Sequence, residues 1–512
     1  MIIGSVFELI KTKQVRFRLL LLLVIVASSA SLVFLPEEGQ LLFIIAFLLL
    51  SLTPLILKKP EWIILGLIIF IRLEEFIEKW LPRGLIYEGV RFGSEAILIL
   101  LLIFVLLGKF NQKPRWHRTP IEVPLILFIL ITVLSSWINS SPIYIWILGI
   151  RPLVRYITIY YILTQLRVNS YFVRKCFKLS LIVATIVATI GLMQTAVGYP
   201  LTNLLLPGDV VVGETLARAG QRHVAPPRTY IFSTLGRYDT LGVYLMFFLL
   251  LSTVAYMFTK ERKLRHLILA FLSLGFLALS LTFSRQSWLA FGWGLAGVLL
   301  FSGKKKLQRT KLAYFIIVVL ISSVVMLLIP YAQYFSAAKI GEASILDRVL
   351  EPFSSRYLDV SRNYYGRLYV IFEVGPRLLH ISPLFGLGPG HFGSLTTRFL
   401  NIPFTHLVGI PENAAIYVND VNWIVLLGQT GLLGIVTYLG IYLSLFWGAL
   451  KRYKRWSDSL EKGLALGYMG SILAILLLGF FGPNFEVRQL SFFVWLWGGL
   501  IMGANKSGVS HI

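Results

Sequence analysis

Cysteine is almost absent: Cys176 stands alone, so no disulfide can close within the chain. Charge is scarce too. Charged residues fill 14% of 512 positions while 57% are hydrophobic, whereas soluble domains carry about 25% charge. Acid is scarcer than base, with 24 Asp and Glu against 48 Lys and Arg. There is no D-x-D, no H-E-x-x-H and no paired Cys, so no familiar metal-holding motif occurs. No stretch reads as a soluble domain, a repeat array or a low-complexity tail.

What is present is apolar length. Runs near the roughly 20 residues that cross a bilayer recur along the chain, and in hydrocarbon the backbone must satisfy its own hydrogen bonds as helices. Spans are expected to begin near Leu19, Leu41, Trp62, Ser94, Ile121, Pro152, Leu179, Thr240, Leu267, Ser287, Leu312, Asn419, Gly463 and Leu490. The expectation is an all-α polytopic membrane protein with about 12–14 transmembrane helices. The organisation divides into N-terminal helices over 1–170, central helices over 171–330, a large extracytoplasmic loop over 331–418 between the eleventh and twelfth spans, and C-terminal helices over 419–512. "RLEEFIEKWLPRG" reads as a helix emerging into the outer interface. "ASSAS" near the end of the first span resembles a signal cleavage site, but the apolar run continues, which favours an uncleaved anchor.

The positive-inside rule sets orientation, with both termini cytoplasmic. On that assignment the outer side, spans included, holds 2 Lys and 17 Arg. Cytoplasmic Lys is the ordinary topology signal; the outer purge of Lys is not. Arg presents a planar fork that grips carboxylate or phosphate with two hydrogen bonds and never loses its charge. The outer side therefore looks built for a polyanion, with pairing to outer Glu and Asp as the alternative.

In "WILGIRPLVRYITIYYIL", Arg151 and Arg155 are four apart and are expected on one helix face, with Pro152 in the first turn. A cation there opposes the helix dipole, so an anionic partner is expected, either a ligand or a carboxylate of a neighbouring helix. "LTFSRQSWLAF" puts Arg285 in a short outer turn with Ser284 and Ser287 as neighbouring hydroxyl donors, suited to a lipid phosphate or to ordinary headgroups. The loop to Asp239 adds Arg218, Arg222, Arg228 and Arg237 with His223.

The longest outer segment contains "GPGHFG", a formal G-x-G-x-x-G without the strand and βαβ unit that dinucleotide binding requires. Its glycines instead suit a tight turn that brings backbone close to a ligand or to neighbouring helices. The preceding "RNYYGRLYVIFEVGPRLL" suggests an amphipathic helix on the membrane face.

The sequence "SRNYYGRLYVIFEVGPRLLHISPLFGLGPGHFG" followed by "VNDVNWIVLLGQTGLLGIVTYLGIY" resembles the O-antigen ligase and polymerase superfamily, whose pattern runs from an Arg-led apolar helix through a Gly-rich turn into a span carrying "G-l-l-G". Upstream, "ATIGLMQTAVG", "RTYIFSTLGRYDTLGVYL" and "LTFSRQSWLA" fall where that family has its "G-l-l-Q", "R-x-f-x-T" and "T-x-S-R" stretches. The resemblance covers about Lys175 to Gly503 and is strongest from Arg228 to Gly434.

It implies a membrane glycosyltransferase of the C-type (GT-C) architecture in a bacterial inner membrane, acting at the extracytoplasmic face on a polyprenyl-diphosphate-linked glycan without cofactor, metal or nucleic acid. The acceptor would be another glycan or a lipid, and a flippase or chain-length regulator would be a partner. Arg285 and Arg228 would hold diphosphate, assisted by Arg151, Arg155, Arg222 and Arg237, while Arg377 and Gly388 fit an R-x10-G spacing of polymerases. Where the family's ligases place His, this chain has Asp420, which favours a polymerase-like member and makes Asp420 the candidate base, with capping of the next helix as its alternative role. His391 and His406 are the other candidate bases. A ligase acting on finished glycan is the alternative, and a bicarbonate-type anion transporter the alternative of another class. Transporters keep acidic residues within their spans, and none is convincingly placed here.

Overall fold

Apolar runs with no unpaired backbone to spare should become helices, and they do. The computed structural model describes residues 60–81, 85–112, 117–205, 209–212, 215–218, 231–302, 355–363, 365–412, 415–456 and 460–504. The spans expected near Leu19, Leu41 and Leu312 lie outside the described residues. Every other expected span coincides with helix: α1 (Pro60–Trp80), α2 (Leu85–Gln112), α3 (Glu122–Ile138), the pair α4 (Ile143–Val154) and α5 (Ile157–Leu166), α6 (Ser170–Val197), and then, beyond the short α7 (Tyr199–Leu205), α8 (Tyr238–Phe258), α9 (Arg262–Leu281) and α10 (Arg285–Phe301). The segment before the C-terminal helices contributes α11 (Ser355–Asn363), α12 (Arg367–Tyr369), α13 (Gly375–Ile381), α14 (Leu395–Phe399) and α15 (Ala415–Val418). The chain closes with α16 (Asn422–Arg455), α17 (Leu460–Leu478) and α18 (Arg488–Gly503). Six of these helices are long and apolar enough to cross a bilayer, and α4 with α5 makes a seventh if the bent pair counts as one span. The protein is thus helical and has the make-up of a multi-pass membrane protein.

The core is centred on α8, whose residues Leu241 to Ala255 are buried all round. α17 packs against it through Gly463 and Gly467, four apart and so on one face; a Cβ at Gly467 would sit 2.9 Å from the Leu251 Cα. Without a hydrophobic drive between helices in lipid, such small residues permit the close backbone approach that holds spans together. α5 packs on α18 and α3 on α16, so the N-terminal and C-terminal helices share one interior.

Four local features depart from the expected pattern. A small antiparallel ribbon, Asp209–Val212 with Thr215–Arg218, interrupts the otherwise helical chain. Pro152 lies in the last turn of α4 rather than the first turn of a new helix: the chain breaks at Tyr156, in the left-handed region at φ +62°, and the two halves meet at 57°. The expected amphipathic helix is divided at Gly366, after which α12 runs through a π-helical turn, Val370–Val374, into α13.

The fourth departure matters most. α16 is broken at Gly431 (φ +65°, ψ −169°), where the ordinary bonds from residues 432 and 433 back to 428 and 429 are replaced. The N–H groups of Leu432 and Leu433 donate to the carbonyls of Pro383 (2.9 Å) and Leu384 (3.3 Å), while the carbonyls of Gly428 and Gln429 accept from Leu387 (2.7 Å) and Gly388 (3.1 Å). The Gly-rich turn is thus docked into the helix. Only glycine permits it: a Cβ at Gly431 would lie 2.2 Å from the Leu384 carbonyl carbon, and one at Gly386 2.6 Å from that of Gln429. Ser135 and Asn139 at the end of α3 donate to the Phe385 and Gly386 carbonyls, fastening the same turn from the other side.

Candidate functional site

Asp420 stands two residues ahead of α16, next to the position from which a carboxylate caps a helix. It does not cap. Val421 occupies the cap position and no side chain bonds the first-turn amides, so the competing structural role for Asp420 is not taken up. Its carboxylate instead lies 3.6 Å from the Arg367 guanidinium, with 42% of the side chain exposed. Arg237 and Arg398 also act on it electrostatically, as does Asp239. Displaced water pushes the Asp420 carboxyl above the ordinary aspartate range; Arg367, Arg237 and Arg398 pull the other way.

Four separate parts of the chain supply this cluster. Arg237 immediately precedes α8 and is gripped by Asp239 through two bonds, 3.0 and 2.7 Å. Arg367 begins α12, and its Nε is buried without a hydrogen-bond partner. Arg398 lies in α14, whose Ser394–Thr397 capping box fixes the start of that helix, and it makes no ion pair among the described residues. Three guanidinium groups therefore face two carboxylates, one of which Arg237 already holds. The surplus is positive and accessible, suited to an anion that brings its own oxygens.

Beneath this surface lies a buried polar layer. Glu486, 4% exposed, accepts from the Leu395 N–H at 3.3 Å and faces the Asn422 amide at 3.5 Å. Asn422 in turn accepts from the Phe485 N–H at 2.9 Å. Asn419 is buried with its side-chain carbonyl unpaired.

The other expected site residues are dispersed. Arg222 and Arg228 lie outside the described residues, as does His223. Arg285 is the first residue of α10 and partly buried; the hydroxyls expected beside it as donors, Ser284 and Ser287, bond each other at 2.8 Å and are buried against α8 at Gly242. Arg377 pairs with Glu373 at 3.7 Å and donates to the Val408 carbonyl at 2.7 Å, tying α13 to the segment around Val408. His391 contacts Ser141 and the Pro389 carbonyl, and His406 is exposed.

Arg151 and Arg155 do act together, though not along one helix. Arg151 lies in the last turn of α4 and Arg155 sits in the break, yet both reach Glu95 of α2, at 2.8 and 3.3 Å. Their anionic partner is the neighbouring carboxylate. Arg488, at the start of α18, meets Glu74 at 2.8 Å and both Glu78 and Glu95 at 3.4 Å. Glu74 is wholly buried. The glutamates of "RLEEFIEKWLPRG" thus pack into the helical bundle, held by an arginine far along the chain.

Among the described residues no group of His, Cys, Asp and Glu gathers to hold a metal ion. No protein-family model matches the chain, and no curated protein matches it either.

Proposed function

We propose that the protein transfers glycan from a polyprenyl-diphosphate donor to a growing lipid-linked glycan at the outer face of the membrane, as a metal-independent glycosyltransferase of the C-type architecture. The observation that carries this reading is the Asp420 carboxylate, relieved of any capping role and set among Arg237, Arg367 and Arg398. The acceptor hydroxyl oxygen attacks the anomeric carbon, its proton passes to Asp420, and the bond to the diphosphate oxygen breaks with the electron pair leaving on the diphosphate. Arg367 and Arg398 meet the charge that develops there. Diphosphate supplies the leaving-group energy, so neither nucleotide nor cofactor is called for. Arg285, with Arg222 and Arg228 of the preceding loop, would extend the grip along the donor. Arg151 and Arg155 are assigned instead to holding the bundle, through Glu95.

Of the two alternatives, a ligase would place finished glycan on its acceptor, and a deletion strain distinguishes it: long chains stranded on carrier lipid mark a lost ligase, single repeat units on the final acceptor a lost polymerase. The transport alternative gains buried carboxylates in Glu74 and Glu95, but Arg488, Arg151 and Arg155 already occupy them. The test of the leading reading is Asp420→Asn in a deletion background. Loss of a general base lowers the rate by about 10²–10⁴-fold, so long glycan should vanish while the protein still reaches the membrane. Wild-type chain lengths would refute the assignment.

A further inference from the structure

Glu486 is a carboxylate in a place where charge is hard to keep. It is 4% exposed, in the turn between α17 and α18. That turn is held tightly: Asn484 donates to the Leu478 carbonyl at 2.9 Å, the Glu486 N–H to Pro483 at 3.0 Å, and Trp423 of α16 to the Gly479 and Leu476 carbonyls. Burial of a carboxylate is unfavourable unless its oxygens are used, and these two are aimed at different elements. One accepts from Leu395, the first residue of α14; the other faces Asn422, the first residue of α16. The Asn422 amide cannot turn over freely, since its carbonyl is engaged by the Phe485 N–H.

The consequence is geometric. Arg398 lies three residues beyond Leu395 and Asp420 two residues before Asn422. We propose that Glu486 is a positioning residue for the transfer reaction: its carboxylate clamps α14 to the start of α16 and thereby sets Arg398, which meets the leaving diphosphate, relative to Asp420, which takes the proton. The clamp's part in catalysis rests on the glycosyl-transfer reading, whereas its existence does not. No period in the sequence links these three segments, which lie 64 and 91 residues apart from Glu486.

The clamp is also sensitive to pH. Burial raises the Glu486 carboxyl to about 7, against the pull of the Leu395 N–H and of Arg155; Tyr438 of α16 is the other titratable group acting with it. As a carboxylate it offers acceptors to both donors, and protonation turns one oxygen into a donor. Transfer should therefore fall as pH drops through about 7. Global stability runs the opposite way. A carboxyl raised on folding contributes stability that is fully present below its unfolded value and is lost as pH rises through its folded value.

The test uses Glu486→Gln in the full-length protein. Hydrogen exchange of the purified protein in micelles reads the peptide over 391–399, and membrane vesicles carrying the endogenous lipid-linked donor read transfer on both sides of neutrality. The expected result is faster exchange in that peptide, an unchanged or raised melting temperature, transfer lowered roughly 100-fold as for a misplacement of about 1 Å, and loss of the acid limb near pH 7, with any limb owed to Asp420 left in place. Asn422→Ser removes the second contact and gives the same loss of transfer if Glu486→Gln does not reach the membrane. Wild-type transfer, or slowed transfer with the limb near pH 7 still in place, overturns the proposal. Wild-type glycan from Asp420→Asn would instead sink the catalytic reading and leave the exchange prediction standing.

Discussion

Two regions of the molecule use the same residue types to opposite ends. Around Glu95, the groups Arg151, Arg155 and Arg488 meet Glu74, Glu78 and Glu95 at 2.8 to 3.4 Å, deep between α1, α2, α4 and α18. Around Asp420, the nearest guanidinium is at 3.6 Å, the groups are partly exposed and arginine is in excess. Guanidinium groups saturated by carboxylates hold helices; guanidinium groups left with spare donors at an open surface can hold something else. The arginines are thus two populations, and stoichiometry with exposure separates them.

The largest effect expected from breaking this comparison is on stability. Arg488→Met leaves the wholly buried Glu74 without its ion pair, while Glu95 keeps Arg151 and Arg155, and losing one partner of a buried ion pair lowers stability by about 3–5 kcal/mol. Thermal unfolding in detergent should show it, with Glu74→Gln in the same chain restoring part of the loss. An unchanged melting temperature would mean that the two clusters do not differ in kind. Next comes the Arg367→Gln, Arg398→Gln double variant, expected to slow transfer by about 10²–10³-fold, the range for losing an anion-stabilising donor. Its melting temperature should hold, since neither side chain is fully buried; a large drop would move this cluster into the structural class.

A smaller effect sharpens the assignment of Asp420. The base works as carboxylate, so transfer should decline as pH falls through its raised value. Arg398 pulls that value down, so in Arg398→Gln the acid limb of the rate profile should shift to higher pH. A limb that does not move would separate Arg398 from the base. Smallest of all, His406→Asn should leave chain length and rate within about twofold, as for an exposed surface change; a severe loss would shift the proton acceptor from Asp420 to His406.

Much of the architecture was legible because it rests on local rules. Length and apolarity alone located most helices of the bundle within the described residues, α4 excepted, and the place of Asp420 at the start of a span was readable from the run that follows it. What could not be read depends on contacts between distant segments. Nothing local in "GQTGLLG" announces that Gly431 rather than Gly428 or Gly434 breaks the helix, because the partner is a loop some 45 residues upstream. The pairing of Glu74 could not be read, since Arg488 lies more than 400 positions away. Arg237 stands out for its place in an arginine-rich loop, whereas Arg367 sits unremarked in a quoted motif and Arg398 just beyond its end. The one available signal for them was the outer preference for arginine over lysine, which names a residue type without naming positions.

The break at Gly431 has a mechanical consequence. The Gly-rich turn bonds α16 on both sides of that break, donating to Gly428 and Gln429 and accepting from Leu432 and Leu433, so the joint is braced rather than free. A bilayer that thickens or thins tilts long helices to match, and a braced joint passes such a tilt on to the turn and to α3 behind it. The start of α16, with Asp420 ahead of it, would then move with the span instead of being insulated from the lipid.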